Sequence, residues 1–287
     1  MSENAIARNR GRGGTTLRWV VLALAAIYFI GPLLAAISFT VKKPGGGITF
    51  SAYREIFDQP GDISFGHALT YSLLIAVVTI VLTLTLMVPT QLLLHLRLPR
   101  WRGLVEVVCL LPLVFPPVVL VVGVSGVYRA AQPGADGHGS VVFHALRFIR
   151  QDSHPLLLPL LYAVMTLPFV YRAIDAGLRS IDVATLVEAS RSLGASWPTT
   201  ILSVLLPSLR TALTNAAFLC FALVMGEYTV ASILLYTKPF PVWLAQLPTT
   251  SGQVRAAISV FSLLLVQALL LVVSGLGMRG AQRKEAH

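Results

Sequence analysis

One carboxylate in this sequence lies where an ionisable group is expected to do chemistry. Glu227, in Met225-Gly226-Glu227-Tyr228, falls well inside an apolar run of the chain. A charged group in such surroundings is costly, so it usually faces a partner or an aqueous path, where it can bind a cation. Tyr228 would be its aromatic neighbour. The structural alternatives are an ion pair with Lys238 and a hydrogen bond across neighbouring helices.

The sequence contains no pattern typical of an enzyme. No Gly-x-x-x-x-Gly-Lys-Ser/Thr segment occurs, so nothing in the chain is predicted to cradle nucleotide phosphates. No cluster of serine, histidine and carboxylate is recognisable, so we assign no catalytic residue. Histidines in predicted loops are too scattered for a metal site, and the two cysteines lack the spacing of a metal or redox pair. These residues are His67, His138, His144, His154, Cys109 and Cys220. We therefore expect no metal and no cofactor in this chain.

Composition identifies the solvent of most of the chain as lipid. Of its 287 residues 55% are hydrophobic and 12% are charged, with a mean hydropathy of +0.77. A soluble domain normally carries about 25% charged residues. The net charge of +10 could suggest nucleic acid as a partner. No basic stripe interleaved with aromatic residues occurs, however, so we exclude nucleic acid.

Six stretches of the chain satisfy the requirement of a spanning helix for about 20 mostly apolar residues. They cover about 19–41, 68–89, 104–128, 155–174, 209–235 and 256–276. The first follows a basic tail, 1–18, and a signal peptide could begin in this way. Its apolar run is longer than the roughly 7–15 residues of a signal peptide and contains Gly31-Pro32, so we interpret it as a retained helix.

The lysines and arginines are unevenly divided between the two sides of this predicted all-α membrane protein. Of the 22 basic residues, 14 fall in the two terminal tails and in the second and fourth connectors. Basic residues in short loops stay preferentially in the cytoplasm. Both termini, including the tail 279–287, and the fourth connector, 175–207, are therefore predicted to be cytoplasmic.

The segment 180–207 has the local signals of two short helices joined by a turn. Asp182 can cap the first helix, and Gly194 can adopt the left-handed conformation that ends it. Pro198 fits the first turn of the second helix. Such a segment would be compact and rigid.

The same segment resembles the EAA loop of permease subunits in type I ATP-binding-cassette importers. In that family a Glu-Ala-Ala triplet precedes a glycine at a fixed spacing, and a hydrophobic-x-Leu-Pro element follows at a second one. The matching residues here are Glu188, Ala189, Gly194, Leu206 and Pro207. Ser190 stands where alanine is usual, and Val204 stands where isoleucine is common.

This resemblance implies a permease of the type I importer (MetI-like) fold, with a core over 68–278 after an extra first helix. It implies that 180–207 is a coupling loop docked on an ATPase subunit. The residues assigned to that contact are Glu188, Ala189, Ser190, Gly194, Ala195, Leu206 and Pro207. The alternative is an ordinary surface loop in which Glu188 is solvated.

The resemblance also implies a set of partners. They are an ATPase dimer that binds ATP and Mg, a second permease chain of different sequence and an extracytoplasmic solute-binding protein. The expected location is the bacterial cytoplasmic membrane.

The proline-rich stretch Leu111-Pro112-Leu113-Val114-Phe115-Pro116-Pro117 resembles the third span of permeases for polyamines, ferric iron, sulfate and related solutes. Proline frees a backbone carbonyl, which neighbours or the water of a cavity must satisfy. Pro116 and Pro117 therefore join Glu227 and Tyr228 as candidates for the solute pathway. The alternative is a helix kink with no ligand role.

A polyamine such as spermidine or putrescine is the favoured solute, because a buried carboxylate suits a cationic amine and the subgroup motifs look similar. Ferric iron, aminophosphonate, thiamine and sulfate are the alternatives. Two other classes of protein are expected to leave different signals. An ion-coupled secondary transporter would be expected to show several intramembrane carboxylates and often an internal repeat, and neither is visible. A membrane-embedded enzyme would need a polar catalytic set at one depth, and none is found.

Overall fold

The computed structural model describes residues 3–43, 45–57, 63–132, 141–150, 156–247 and 252–282. Regular structure within these ranges is helical, apart from one isolated antiparallel bridge between Lys42 and Ile48. The all-α class is therefore confirmed. The α-helices are α1 Glu3–Val41, α2 Ser51–Arg54, α3 Phe65–Leu96, α4 Arg102–Val114, α5 Pro117–Ala130, α6 Val141–Arg150, α7 Leu157–Arg179, α8 Val183–Ser192, α9 Trp197–Thr199, α10 Leu206–Ser208, α11 Arg210–Met225, α12 Thr229–Ile233, α13 Phe240–Gln246 and α14 Gly252–Gln282. A 3-10 turn, Pro99–Trp101, precedes α4, and a π-helical segment, Thr200–Leu205, joins α9 to α10.

Several of these helices are long and apolar enough to cross a bilayer. Candidate single-helix spans within the described residues are Leu17–Val41, Phe65–Leu96, Leu157–Arg179 and Gly252–Leu271. Two bent pairs bring the total to six if each pair is one span: Pro99–Val114 with Pro117–Ala130, and Trp197–Ser208 with Arg210–Met225. A multi-pass membrane protein of about six spans is therefore confirmed.

The predicted third span, 104–128, is not one continuous helix. The helices before and after its proline pair meet at 96°. Phe115 is extended, with φ −96° and ψ 125°, because a following proline disfavours the helical conformation. Pro116 and Pro117 have no N–H to continue the hydrogen bonding of α4. The prolines therefore break the third span, which is a larger change of direction than a kink within one helix.

The predicted fifth span, 209–235, is also interrupted. α11 ends at Met225 with Gly226 as its C-cap, and α12 begins only at Thr229. Glu227 therefore lies in a break between two helices rather than well inside one, and its predicted position is corrected accordingly. A break leaves the first N–H groups of the next helix without intrahelical partners, and a carboxylate can accept from them.

Two predicted loops contain more helix than expected. The connector 129–154 includes α6. α7 extends into the connector 175–207 as far as Arg179. α1 begins at Glu3, so the helix also includes most of the predicted tail 1–18. His138 and His154 lie outside the described residues.

The chain forms two compact units, one made of 62–246 and 266–287, and the other of 1–61 and 247–265. In the larger unit α3, α7 and α11 pack against one another, and α4 packs against α7. α7 and α11 approach closely at Gly177, where an added Cβ would overlap the Cβ of Ala212. Small residues permit such contacts between helices in a membrane, where close packing replaces the hydrophobic effect as a driving force.

The smaller unit contains α1, α2 and the start of α14. The side-chain amide of Gln253 donates to the main-chain carbonyls of Phe39 and Lys42, at 3.1 Å and 2.5 Å. These bonds satisfy carbonyls that the C-terminus of a helix leaves without intrahelical partners. The hydroxyls of Thr40 and Tyr53 lie 2.9 Å apart, so a hydrogen bond connects α2 to the C-terminal end of α1.

Candidate functional site

The segment 182–207 folds as two short helical pieces joined by a tight turn, as its sequence predicted. Asp182 caps α8, because its carboxylate accepts from the backbone N–H of Thr185 at 3.2 Å and from the Thr185 hydroxyl at 2.7 Å. These hydrogen bonds hold the pKa of Asp182 below its ordinary value. Gly194 ends α8 with φ +83°, a conformation that glycine adopts without strain.

The second piece is a continuous helical stretch from Trp197 to Ser208 with a π-helical centre. Ser196 caps it by accepting from the N–H of Thr199, and Pro198 occupies the first turn, as predicted. Leu205 and Leu209 are fully buried, so this stretch is anchored in the core. Beyond Leu209 the chain turns by 74° into α11.

Ser190 joins the two pieces from the inside. Its hydroxyl lies 2.9 Å from the hydroxyl of Thr200, and both residues are buried. Each hydroxyl satisfies the other in a place that water does not reach, so the pair fixes α8 against the π-helical segment. An alanine at 190 could not form this bond, which gives the departure from the Glu-Ala-Ala triplet a structural reason.

Of the other residues assigned to ATPase contact, three are exposed and three are half-buried. Glu188, Ala189 and Gly194 are exposed, whereas Ala195, Leu206 and Pro207 are half-buried. Leu193, beside Gly194, is 88% exposed and was not predicted.

A cavity of about 960 Å³ lies within the larger unit, at the breaks in the third and fifth predicted spans. All four residues proposed for a solute pathway line it, so the fold brings together residues more than 100 positions apart in sequence. They are Pro116, Pro117, Glu227 and Tyr228. Further walls come from α4, α5, α7 and the end of α11, and they are mainly apolar.

Glu227 is half-buried, and its carboxylate accepts from the N–H of Val230, which lies 3.1 Å from each oxygen. Among the described residues no lysine or arginine forms an ion pair with it. The alternative pairing with Lys238 is therefore not seen, and the Nζ of Lys238 lies 5.9 Å from the centre of the Tyr71 ring. Tyr162 of α7 lines the same cavity and lies within electrostatic reach of Glu227.

An ionic cluster that the sequence did not predict lies at the other end of α7. Asp175 is buried, and its carboxylate lies 3.0 Å from the Nη2 of Arg102, 2.7 Å from the Nε of Arg179 and 3.5 Å from the Nε2 of His95. These residues come from α3, α4 and α7, so the cluster ties three helix ends together. The spacing of four between Asp175 and Arg179 was the available signal.

Apart from His95 in the ionic cluster, the histidines of the described residues lie on the surface and the two cysteines pack in the interior. His67 and His144 are exposed, and no group of three or more histidine, cysteine, aspartate or glutamate residues in the described ranges could hold a metal ion. Cys109 and Cys220 are buried, and the thiol of Cys220 lies 3.7 Å from the Thr166 hydroxyl.

A comparison with protein families identifies the class of the chain. Residues 92–284, about two thirds of the sequence, match the family described as "Binding-protein-dependent transport system inner membrane component". The chain belongs to this family. The matched region contains the segment 182–207, both helix breaks and the cavity residues of this inner membrane component.

The chain is also similar to a curated protein, the "Probable ABC transporter permease protein y4fN" of Sinorhizobium fredii. The two are 28% identical over 174 residues, which cover 60% of this chain and 28% of the relative. The matched region of the inner membrane component thus corresponds to little more than a quarter of that relative's length.

Proposed function

We propose that this inner membrane component forms half of the translocation pathway of an ATP-driven importer, and that residues 180–207 are its coupling loop. The observation that carries the proposal is the attachment of the loop. α8 follows α7 directly, and the helical stretch from Trp197 to Ser208 leads into α11. The far ends of α7 and α11 both line the cavity.

This arrangement supports transmission of force from the loop to the cavity. Tyr162 and Arg179 are separated by 17 residues of one helix, or about 25 Å at 1.5 Å per residue. α7 is packed against α3 and α11, and close packing of this kind transmits a displacement along the helix. Displacement of a loop fixed by the Ser190 and Thr200 pair would therefore shift the cavity walls.

The exposed surface of the loop supports docking on an ATPase subunit. Glu188 offers a charge for a basic residue of the partner, and Leu193 offers an apolar anchor. The ATPase dimer would bind ATP and Mg and perform all hydrolysis, so this chain would not be an enzyme. A second permease chain would complete the pathway, and an extracytoplasmic binding protein would deliver the solute.

The orientation follows from the distribution of basic residues. Because 14 of the 22 lysines and arginines fall in the tails and in the second and fourth connectors, we place both termini and the coupling loop in the cytoplasm. The membrane would be the bacterial cytoplasmic membrane.

The cavity supports a cationic solute with an apolar body, for which a polyamine is our choice. Among the described residues that line it, Glu227 is the one acidic residue, and no lysine, arginine or histidine is present. Alkyl segments of a polyamine would contact the apolar walls while an ammonium group meets the carboxylate. Sulfate and aminophosphonate, which are anionic, would find no positive side chain there, whereas thiamine shares the required charge.

The decisive test of this function is uptake by the chain assembled with its ATPase, second permease and binding protein in proteoliposomes. We expect ATP-dependent spermidine uptake, and its loss in Gly194→Asp without loss of membrane insertion, because the new charge lies on the docking surface in open space. Gly46→Asp is a matched control, since Gly46 also has a positive φ, +100°, and open space around its Cβ position. Normal uptake by Gly194→Asp would contradict the docking role.

A further inference from the structure

A second cavity, of about 270 Å³, lies between the end of α3 and the helical stretch from Trp197 to Ser208. Its walls are leucine, isoleucine and proline side chains from those two elements. Arg97 and Trp197 also line it, and their mutual contact lies where α3 ends and the second stretch begins. The cavity is thus an apolar slot with a cation at one end.

Two arginine side chains place positive charge at that end of the slot. The guanidinium carbon of Arg97 lies 5.4 Å from the centre of the Trp197 ring, and that of Arg191 lies 5.7 Å from it. Within the described part of the chain neither arginine forms an ion pair with a carboxylate. Two guanidinium groups beside one indole leave a concentration of charge that an anion would neutralise.

The surroundings of the slot are those of a helix end at a membrane surface. Leu93 is 47% exposed and Leu202 is 63% exposed, so lipid-compatible surface flanks it on both elements. α3 is 32 residues long, or about 48 Å, which exceeds the roughly 30 Å hydrocarbon core and brings its end into the headgroup region. Arginines at this depth are well placed to meet phosphate groups.

We infer that the slot binds one anionic phospholipid, with an acyl chain against the leucine and isoleucine walls and the headgroup phosphate at Arg97. A free phosphate would leave the apolar walls uncovered, and a zwitterionic lipid would bring a positive group to a site that already holds two. The bound lipid would bridge α3 and the segment 197–208, and so stabilise the position of that segment.

The inference is tested with the purified full-length chain in a neutral detergent. Its melting temperature is measured against increasing dioleoyl phosphatidylglycerol, dioleoyl phosphatidylcholine or inorganic phosphate. We expect saturable stabilisation by phosphatidylglycerol alone. Arg97→Gln should raise the half-saturating lipid concentration about fivefold, the effect of one arginine near an anionic surface. Arg100→Gln is the matched control, because Arg100 is exposed on the same connector but does not line the slot, and it should leave that concentration nearly unchanged.

A second measurement locates the acyl chain independently of stability. Phosphatidylglycerol brominated on its acyl chains should quench tryptophan fluorescence more than brominated phosphatidylcholine does, and Trp197→Phe should remove the difference. Three results would overturn the inference. They are equal stabilisation by the two lipids, equal weakening of lipid binding in Arg97→Gln and Arg100→Gln, and a quenching difference that survives Trp197→Phe. So would protection of Leu93→Cys from a membrane-soluble thiol reagent by the second permease, since a protein would then cover the slot.

Discussion

Asp175 and Glu227 are two carboxylates in the same helical unit, and their surroundings differ sharply. Asp175 lies within 3.5 Å of three basic side chains that come from three helices. Glu227 forms no ion pair with a described lysine or arginine and faces a cavity of about 960 Å³. The first charge is neutralised by the fold, whereas the second is available to a ligand.

The two carboxylates differ in whether the fold itself supplies charged partners. Burial of a carboxylate is costly unless the protein supplies partners. At Asp175 the partners are built in, so the carboxylate fixes the ends of α3, α4 and α7. At Glu227 the fold supplies one backbone N–H and the nearby Tyr162, and the carboxylate lines the cavity.

The largest effect is expected from Asp175→Asn, which removes the negative charge while three basic groups stay in place. Arg179 is 61% exposed and can turn to water, so we expect a loss of about 2 kcal/mol rather than the 3–5 kcal/mol of a fully buried pair. The melting temperature in detergent should fall by several degrees, and uptake should fall with it. An unchanged melting temperature would show that the cluster does not hold the helix ends.

Glu227→Gln is expected to separate function from stability. Glutamine can still accept from the N–H of Val230, so the melting temperature should stay close to that of the wild type. Loss of a charge-assisted contact with a cationic solute should lower uptake efficiency about tenfold to a hundredfold. Uptake assays under subsaturating solute, beside melting curves of the same preparations, provide the check. Equal damage to both quantities would assign Glu227 a structural role like that of Asp175.

The smallest effect is expected within the coupling loop, from loss of the hydroxyl pair. Ser190→Ala leaves the buried hydroxyl of Thr200 unsatisfied, which should cost about 1 kcal/mol. The double variant with Thr200→Val removes both hydroxyls and should recover part of that loss, as a double-mutant cycle of unfolding would reveal. Strictly additive losses would mean that the two hydroxyls do not stabilise each other.

Local signals in the sequence were sufficient for the loop. Asp182, Gly194 and Pro198 each occupy the predicted place, because caps, left-handed turns and first-turn prolines depend on neighbours within a few residues. The spans were predicted from apolar length alone, which locates a helix in the bilayer but does not reveal a break inside it.

The interior of the fold could not be predicted in the same way. Pro116-Pro117 and Gly226 were visible in the sequence, yet a kink and a full break look alike until the neighbouring helices are placed. The partners of Asp175 come from positions 80 and 73 residues away as well as from the next turn. The cavity likewise depends on the packing of helices that are distant in sequence.

Docking of the coupling loop, residues 180–207, on an ATPase is tested most directly by cross-linking in the assembled transporter. Leu193→Cys and Val141→Cys form a matched pair, since these residues are 88% and 86% exposed and only the first lies in the loop. With a short bifunctional thiol reagent, Leu193→Cys should yield a covalent adduct with the ATPase subunit, and Val141→Cys should yield none. No adduct at either position, or equal adducts at both, would contradict the account.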